Sequence, residues 1–418
     1  MHLRNSTIYC VFVRNHGGSF EAVREDVPRI RSLGADILWL LPIHPIGKEK
    51  RKGTLGSPYA ISDYRAVNPE YGTMEDFVRL ADAVHQNGMK LMIDVVYHHT
   101  SPDSVLVGKH PEWFYHKPDG SFGNHVGDWS DVIDLDFDQR PLWDELIDTL
   151  CQWAAIVDGF RCDVAPMVPV QFWKEARAAV EKVRPGCIWL AESVETEFVR
   201  YNRQQGVLCH SDAEMYEAFD ICYDYDVYGD FLRYLKGEQP LEAYVSALLR
   251  QEGIYPADYV KLRYLENHDR PRAAFLIPDE KARKNWLAFM FLQKGAALIY
   301  DGQEFGPAHR PGLFDADPIA LGGQAPLADY IGHLASIKKE LVPPEGAYDL
   351  KALPNDWISL SYAQGEKRLL GFFSLKGKDG LLPVSLPEGS CENLLDGKPV
   401  MVEEGLISSR GEPVLLKI

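Results

Sequence analysis

The stretch "GFRCDV" at residues 159–164 has the length and apolar character of a buried strand, yet it contains Arg161 and Asp163. Side chains alternate along a strand, so these two residues share one face and place a cation beside a carboxylate. Burying charged groups costs free energy unless they are paired. The stretch therefore indicates a core strand that carries a functional pair of side chains.

Seven other short apolar runs surround this one, and amphipathic stretches separate them. They are "TIYCVFV" (7–13), "DILWLLP" (36–42), "KLMIDVV" (90–96), "CIWLAE" (187–192), "FDICYDY" (219–225), "VKLRYLEN" (260–267) and "AALIYDG" (296–302). Runs that are apolar throughout are typical of parallel strands covered on both faces. Eight such units predict an α/β fold, a TIM (β/α)8 barrel, with a doubly wound sheet as the alternative.

The pattern predicts two domains. Residues 1–343 form the barrel, with a short insertion after the third strand at about 98–139 as a reduced B domain, and a second long segment at 42–72. Segments of that length without regular structure are usually functional. From 344 to 418 short alternating runs predict a C-terminal antiparallel β-sandwich domain.

Composition excludes several classes of partner. The 418 residues contain 61 Asp and Glu against 44 Lys and Arg, a net charge of −17, and no basic run, so we expect no nucleic acid and a neutral ligand instead. The apolar run at residues 8–13 is too short for a signal peptide or a membrane span, which predicts a cytoplasmic protein with no membrane partner. Seven scattered cysteines without a C-x-x-C pair argue against zinc and against disulfides. The oligomeric state stays open.

Four carboxylates, Asp94, Asp163, Glu192 and Asp269, fall at or after the carboxyl ends of four predicted strands. In a barrel those ends form the catalytic rim. An acidic residue at one such position is usually the N-cap of the next helix. Four of them, accompanied by His99, Arg161 and His268, predict an active site.

These residues lie in motifs that resemble the α-amylase family, glycoside hydrolase family 13. The matching motifs, in family order, are "DVVYHH" (94–99), "GFRCD" (159–163), "LAE" (190–192) and "ENHD" (266–269), with further likeness at "GSPYAISDYRAVNPEYGT" (56–73), "IDLDF" (133–137) and "IYDGQE" (299–304). The resemblance covers essentially the whole chain. It implies a barrel enzyme that acts on α-glucosidic bonds.

The resemblance implies the catalytic roles. Asp163 would be the nucleophile, Glu192 the general acid/base, and Asp269 the carboxylate that stabilises the transition state, in a retaining mechanism with two closely spaced carboxyl groups. Arg161 should favour the ionised form of Asp163. Glu192 follows an apolar run and should lie near two anions, so we expect its pKa to be raised.

The resemblance also implies a substrate-binding set and two supporting residues. The binding residues are Tyr59 as a stacking ring, His99, Arg161 and His268; the supporting residues are Asp94, which should orient Tyr59 and Arg161, and Arg272, which we expect to fix a loop. The adjacent His98 and His99 could instead belong to a metal cluster, but neighbours on an extended segment point apart, so we expect no metal there.

Two departures from the family pattern concern this site. Many members have an asparagine that binds calcium where this chain has His98, a poor ligand for a hard cation. Asp134 could still match a second ligand, but the sequence favours no cofactor, calcium included. The segment "DVAPMVP" (163–169) lacks the Lys-His pair that some α-amylases carry after the nucleophile, which leaves the leaving-group side undefined.

The expected function is hydrolysis of α-1,4 bonds in maltooligosaccharides, glycogen or soluble starch. A 4-α-glucanotransferase, an α-glucosidase or a trehalose/maltose isomerase could share this machinery, because they differ in what intercepts the intermediate. A non-catalytic relative would be expected to lose one of the three carboxylates, and all three are present. A phosphate-handling barrel would need a glycine-rich phosphate loop, which the sequence lacks.

Overall fold

The computed structural model describes residues 2–418 and contains a closed barrel of eight parallel strands. The first ten strands of the chain are β1 (Thr7–Val11), β2 (Ile37–Leu40), β3 (Lys90–Val95), β4 (His99–Thr100), β5 (Ile133–Asp134), β6 (Gly159–Cys162), β7 (Ile188–Ala191), β8 (Ile221–Tyr223), β9 (Lys261–Arg263) and β10 (Ala296–Tyr300). The barrel order is β1-β10-β9-β8-β7-β6-β3-β2. The barrel prediction is confirmed, and each of its eight strands lies within one of the eight runs named above.

Helices follow the barrel strands along the chain. They are α1 (Phe20–Ser32), α2 (Met74–Gln86), α3 (Val105–Lys109), α4 (Arg140–Ala154), α5 (Val170–Val180), α6 (Thr196–Gln204), α7 (Asp212–Met215), α8 (Tyr228–Leu235), α9 (Leu241–Ile254), α10 (Ala273–Leu276), α11 (Glu280–Leu292) and α12 (Ala328–Leu341). A capping side chain marks the start of some of them, including α2. At α2 the Thr73 hydroxyl accepts from the Asp76 amide while the Asp76 carboxylate accepts from the Thr73 amide, a capping box.

The chain divides into two compact units. The first unit comprises Ile8–Tyr225 and Pro311–Leu321. Its β3 and β6 pair in parallel, and the register sets Asp94 opposite Arg161. Every residue of β6 is buried. The quoted strand therefore lies inside the sheet, where its cation has a carboxylate on the neighbouring strand.

Within the first unit, β4 and β5 form a separate two-stranded antiparallel ladder in the insertion after β3. The ladder pairs His99 with Asp134 and Thr100 with Ile133. The Leu135 amide donates to the His98 carbonyl at 3.0 Å, which extends the contact by one residue. The ladder thus fixes two adjacent histidines against the segment that carries Asp134.

The second unit comprises the segment that ends at Thr7, Asp226–Arg310 and Gly322–Ile418. Its antiparallel strands are β11 (Ala347–Leu353), β12 (Trp357–Gln364), β13 (Lys367–Ser374), β14 (Gly380–Pro383), β15 (Gly389–Glu392), β16 (Pro399–Glu403), β17 (Leu406–Ser409) and β18 (Val414–Lys417). They form two sheets, β11-β12-β13-β18 and β14-β17-β16-β15. The two sheets share an apolar core around Trp357, Phe372, Val402 and Ile407, which confirms the C-terminal antiparallel β domain.

The predicted 343/344 boundary falls between α12 and β11, while the second unit runs across it. The boundary therefore stays a prediction.

All seven cysteines are free thiols, so the expectation of no disulfides is confirmed. Among residues 2–418, no helix combines the length and the apolar character that crossing a bilayer would require.

Candidate active site

Arg161 is the centre of the charged cluster in the first unit. Its Nη1 donates to both oxygens of Asp94 at 2.9 and 3.0 Å and to Asp163 Oδ1 at 2.7 Å. Its Nη2 lies 3.0 Å from Glu192 Oε2. One fully buried guanidinium therefore holds three carboxylates, which come from the ends of three neighbouring strands.

Three aromatic rings enclose this guanidinium. The Cζ atom of Arg161 lies 5.4, 5.6 and 5.4 Å from the ring centres of Trp39, Tyr59 and Tyr223, distances typical of cation–π contacts. Tyr59 also donates its hydroxyl to Asp94 Oδ2 at 3.3 Å, and Arg161 Nε donates to the Tyr223 hydroxyl at 3.2 Å. The expected contacts of Asp94 with Tyr59 and Arg161 are present. Tyr223 was not predicted from the sequence, although it lies at the end of β8, a rim position.

Burial and charge act against each other in this cluster. Burial, reinforced by the negative charge of Asp163, raises the pKa of Asp94 well above its usual range although Arg161 opposes the shift. Burial alone would lower the pKa of Arg161, but Asp94 and Glu192 outweigh it, so the net shift is upward. Arg161 therefore stays a cation, and its single positive charge is shared among the carboxylates around it.

Glu192 makes two contacts that the sequence did not predict. Asp94 and Asp163 share Arg161 with it, in line with the two anions expected nearby, but its Oε2 also accepts the Val164 amide at 2.8 Å and lies 3.0 Å from Arg161 Nη2. Both contacts stabilise the charged carboxylate. The expectation overlooked that a long arginine side chain can reach a carboxylate on the next strand as well as its own neighbour.

Val164, the residue after Asp163, has an unusual backbone. Its φ of 41° and ψ of 40° lie in the left-handed region, which β-branched residues rarely adopt. This conformation turns the chain directly after the strand and points the Val164 amide at Glu192. Such outliers cost free energy and cluster at functional sites. No sequence signal identifies this turn, because glycine is the residue normally expected there.

Three histidines and one aspartate form a cluster, and one of the histidines faces Asp163. His98 Nδ1 lies 3.1 Å from His99 Nδ1 and 3.7 Å from Asp134 Oδ1. His125 donates its backbone amide to Asp134 Oδ2 at 2.7 Å, and its Nδ1 lies 2.7 Å from the same oxygen. His99 Nε2 lies 3.9 Å from Asp163 Oδ2. The expectation that the adjacent histidine rings point apart is wrong, because the chain leaves the β3 strand at Val95 before it reaches them.

The cluster of three histidines and Asp134 does not fit the calcium ion that many members of the family bind at this position. Calcium takes six to eight oxygen ligands. Here Asp134 Oδ2 is used by His125, Asp134 Oδ1 faces an imidazole nitrogen, and His98 replaces an oxygen ligand with nitrogen. Within residues 2–418, no group of three or more His, Cys, Asp or Glu side chains is arranged to hold a metal ion.

The loop after β9 carries the remaining predicted residues and belongs to the second unit. Asp269 lies beyond the end of β9, with its amide bonded to Asn267 Oδ1 at 2.9 Å and its Oδ2 3.2 Å from His268 Nε2. Arg272 is fully buried; its Nη1 donates to Glu266 Oε1 at 2.7 Å and its Nη2 to the Asp301 carbonyl at 2.8 Å. Arg272 thus links the loop that presents His268 and Asp269 to Glu266 and to the residue that follows β10.

The segment after Asp163 packs in an apolar cluster. Val164 and Met167 are buried with Val199 and Cys209, and Trp129 packs against the edge of this cluster. The Trp129 ring centre also lies 5.2 Å from that of His99. The segment where some α-amylases carry Lys and His is therefore packed among apolar side chains in this chain.

The family models match most of the chain. A model of the alpha-amylase catalytic domain matches residues 5–110 and 104–312, and a model of the bacterial alpha-amylase C-terminal domain matches residues 349–416. Together with the barrel and its carboxylates, these matches show that the chain belongs to the alpha-amylase family of glycoside hydrolases and transferases.

Three relatives illustrate the likeness. An alpha-amylase from Lactobacillus plantarum of known structure is 48% identical, with 100% of this chain and 99% of that chain covered and a TM-score of 0.98. A noncanonic maltogenic alpha-amylase, AmyB from Thermotoga neapolitana, is 33% identical with 100% and 99% covered and a TM-score of 0.88. Alpha-amylase MalA from Haloarcula japonica is 28% identical over 84% of this chain, and the chain spans 51% of that relative's length.

Proposed function

We propose that the protein is a retaining α-glucoside hydrolase that cleaves α-1,4 bonds in maltooligosaccharides, glycogen or soluble starch. The observation that carries the proposal is the shared guanidinium: Arg161 Nη1 binds Asp163 and Arg161 Nη2 contacts Glu192. Two carboxyl groups on one guanidinium stay close together. Retaining glycosidases need that proximity, whereas inverting enzymes must leave room for a water molecule between the two groups.

Each carboxylate then has a distinct step. Asp163 attacks the anomeric carbon with an oxygen lone pair while the protonated Glu192 gives its proton to the departing glucosidic oxygen. This forms a glycosyl ester and breaks the bond to the leaving sugar. Glu192, now a carboxylate, takes a proton from water as the water attacks the ester, which releases Asp163 with its charge restored.

Protonation of Glu192 requires a rearrangement in the unliganded cluster. A protonated carboxyl group loses its attraction to Arg161 and gains a donor, so it is better placed facing a glucosidic oxygen than facing a guanidinium. Asp163 has its own contact with Arg161, from Nη1 at 2.7 Å. Arg161 therefore stabilises the charge of Asp163. The glucosidic oxygen of the substrate replaces Arg161 as the partner of the protonated Glu192.

The substrate class follows from charge and from the relatives. The net charge of −17 disfavours anionic ligands, and a neutral glucan suits it. Relatives that cover the full chain are named alpha-amylase and maltogenic alpha-amylase. Tyr59, held by Asp94 and packed on Arg161, offers an aromatic face to the C–H groups of a sugar ring. The roles of His268 and Asp269 stay as the family resemblance implies them.

The retaining mechanism predicts the anomer that is released first. Proton NMR during hydrolysis of maltopentaose should show the α anomer of the new reducing end first, with β appearing later through mutarotation. Initial β product would contradict the mechanism.

A substrate panel tests the linkage: higher kcat/KM on sucrose, trehalose or α-1,6-linked sugars than on maltooligosaccharides would contradict the α-1,4 assignment.

Transfer to a second glucan is the second candidate. The apolar cluster of Val164, Met167 and Val199 lies after the nucleophile, and hydrocarbon orders water poorly, which favours interception of the ester by a bound sugar hydroxyl. Curated maltosyltransferases also match part of the chain. Chromatography of products from maltotetraose separates the two functions, because hydrolysis gives only shorter chains and transfer also gives longer ones.

We also propose that folding and activity do not require calcium, since imidazole nitrogens replace oxygen ligands at His98. Dialysis against EDTA should leave the melting temperature and kcat unchanged. Dialysis of a calcium-dependent α-amylase under the same conditions provides the control. A drop in melting temperature that calcium restores would overturn the proposal.

A further inference from the structure

We propose that His98 is a positioning residue that fixes the tautomer of His99, so that His99 Nε2–H always points at the nucleophile Asp163. This inference rests on the proposed function and assigns a role to the residue that departs from the family pattern. The geometry behind it is a chain of four polar groups. Asp134 Oδ1 faces His98 Nδ1, His98 Nδ1 faces His99 Nδ1, and His99 Nε2 faces Asp163 Oδ2.

The central contact admits one proton. His98 Nδ1 and His99 Nδ1 are 3.1 Å apart, a hydrogen-bond distance, so one nitrogen carries the hydrogen and the other accepts it. Burial lowers the pKa of His98 to about 4, and that ring is therefore neutral near pH 7. A neutral imidazole carries its proton on one nitrogen only, and the neighbours at the two ends of the chain decide which.

The Asp134 end favours a proton on His98. Asp134 is almost fully buried, and its Oδ1 has no hydrogen-bond partner and lies 3.7 Å from His98 Nδ1. A hydrogen on that nitrogen reduces the repulsion between the carboxylate oxygen and the imidazole lone pair. The reverse arrangement would bring a bare nitrogen and a bare carboxylate oxygen together in a buried place.

The contact with Asp163 favours the same arrangement, with a proton on His98 Nδ1 and none on His99 Nδ1. If His98 donates, His99 Nδ1 accepts and the His99 proton lies on Nε2, which faces Asp163 Oδ2 at 3.9 Å. If His99 donated from Nδ1 instead, its bare Nε2 lone pair would face the carboxylate. Both ends therefore favour one tautomer, and the β4–β5 ladder that pairs His99 with Asp134 holds the geometry.

The consequence is a permanent donor at the cleavage site. At 3.9 Å from Asp163 Oδ2, His99 Nε2–H makes no hydrogen bond of normal length, so it is available to a sugar hydroxyl that binds beside Asp163, and no rearrangement of protons is needed when substrate binds. Preorganised donors of this kind contribute to the rate because they are not reoriented during the reaction. His98 acts through His99 and does not itself contact the substrate.

Nitrogen-15 NMR of the unaltered protein, labelled on histidine, tests the tautomer directly. His99 should show a protonated Nε2 and an unprotonated Nδ1 at pH 7, with the resonances assigned by loss in His99→Gln. The reverse tautomer, or a doubly protonated ring, would overturn the inference. The tautomer is read on the unaltered protein, and His99→Gln serves only to assign the resonances.

A pair of variants tests the functional consequence. His98→Leu removes the donor at similar volume and should lower kcat by about tenfold or more, with KM changed much less. His98→Gln keeps an N–H donor and should restore part of that loss. Equal kcat values for wild type, Leu and Gln would overturn the inference, and so would equal losses in Leu and Gln.

His125→Gln is the matched control. His125 contacts the other oxygen of Asp134 and is one-third exposed. If the imidazoles only brace Asp134, variants of His98 and His125 should lower the melting temperature alike and leave the His99 tautomer unchanged. If His98 sets the tautomer, only its substitution alters the His99 signals and kcat. Full loss of activity in Asp163→Asn, with normal His98→Leu, would reject this inference and leave the proposed function standing.

Discussion

Replacing Asp163 with asparagine is expected to lower kcat on maltooligosaccharides by about 10⁴-fold or more, because a carboxamide cannot form the glycosyl ester. The fold should persist. The amide oxygen can still accept from Arg161 Nη1, and the guanidinium keeps Asp94 and Glu192. Because Arg161 faces three carboxylates, loss of one negative charge should leave the melting temperature unchanged or raise it. Steady-state kinetics and thermal unfolding of the same preparation measure both effects.

Asp158→Asn is the matched control for this variant. Asp158 directly precedes β6, at the opposite end of the strand from Asp163, and its Oδ2 lies 2.7 Å from His85 Nε2 and 2.9 Å from the Leu91 amide. The amino-terminal face of a barrel contributes to stability. Asp158→Asn should therefore lower the melting temperature and keep kcat near wild type. The opposite pattern in the two variants would overturn the assignment of the nucleophile.

Replacing Glu192 with glutamine is expected to lower kcat by about 10²–10⁴-fold on natural glucans, the usual contribution of a general acid/base. The loss should shrink on an α-maltosyl fluoride, whose leaving group needs no proton. Azide should then accelerate turnover of the variant, because azide attacks the intermediate without a base, and the product should be an α-glycosyl azide. A variant with equal loss on both substrates and no azide product would exclude Glu192 as the acid/base.

Glu197→Gln serves as the control for Glu192→Gln. Glu197 is an exposed residue in the first turn of α6, just beyond Glu192. It should keep wild-type kcat on both substrates and show no response to azide. A shared response in the two variants would indicate an effect on α6 and its neighbours, and not the removal of a proton donor.

The sequence predicted the parts of this site that follow regular geometry. Alternation along a strand placed Arg161 beside Asp163, and their contact is 2.7 Å. Apolar runs predicted all eight barrel strands, because a strand covered on both faces has few acceptable compositions. The positions of Asp94 and Glu192 at strand ends followed from the same patterns.

The irregular parts could not be predicted in the same way. His98 and His99 lie beyond β3, where the period of two no longer applies, and their rings meet instead of diverging. The left-handed Val164 runs against local preference and is held by its surroundings. The contact between Arg161 and Glu192 depends on how far a flexible side chain extends, which spacing along the sequence does not encode.

The short segment before β1 constrains how the protein is made. Arg4 donates to the carbonyls of Ala257, Tyr259 and Pro344, so it bonds to a residue 340 positions further along the chain. Asn5 donates to the Val342 carbonyl, and the Ala297 amide to the Ser6 carbonyl. At about 5–20 residues per second, a ribosome needs roughly 20 to 70 s to deliver those partners. During that interval residues 4–6 lack these hydrogen-bond partners, which have not yet been synthesised.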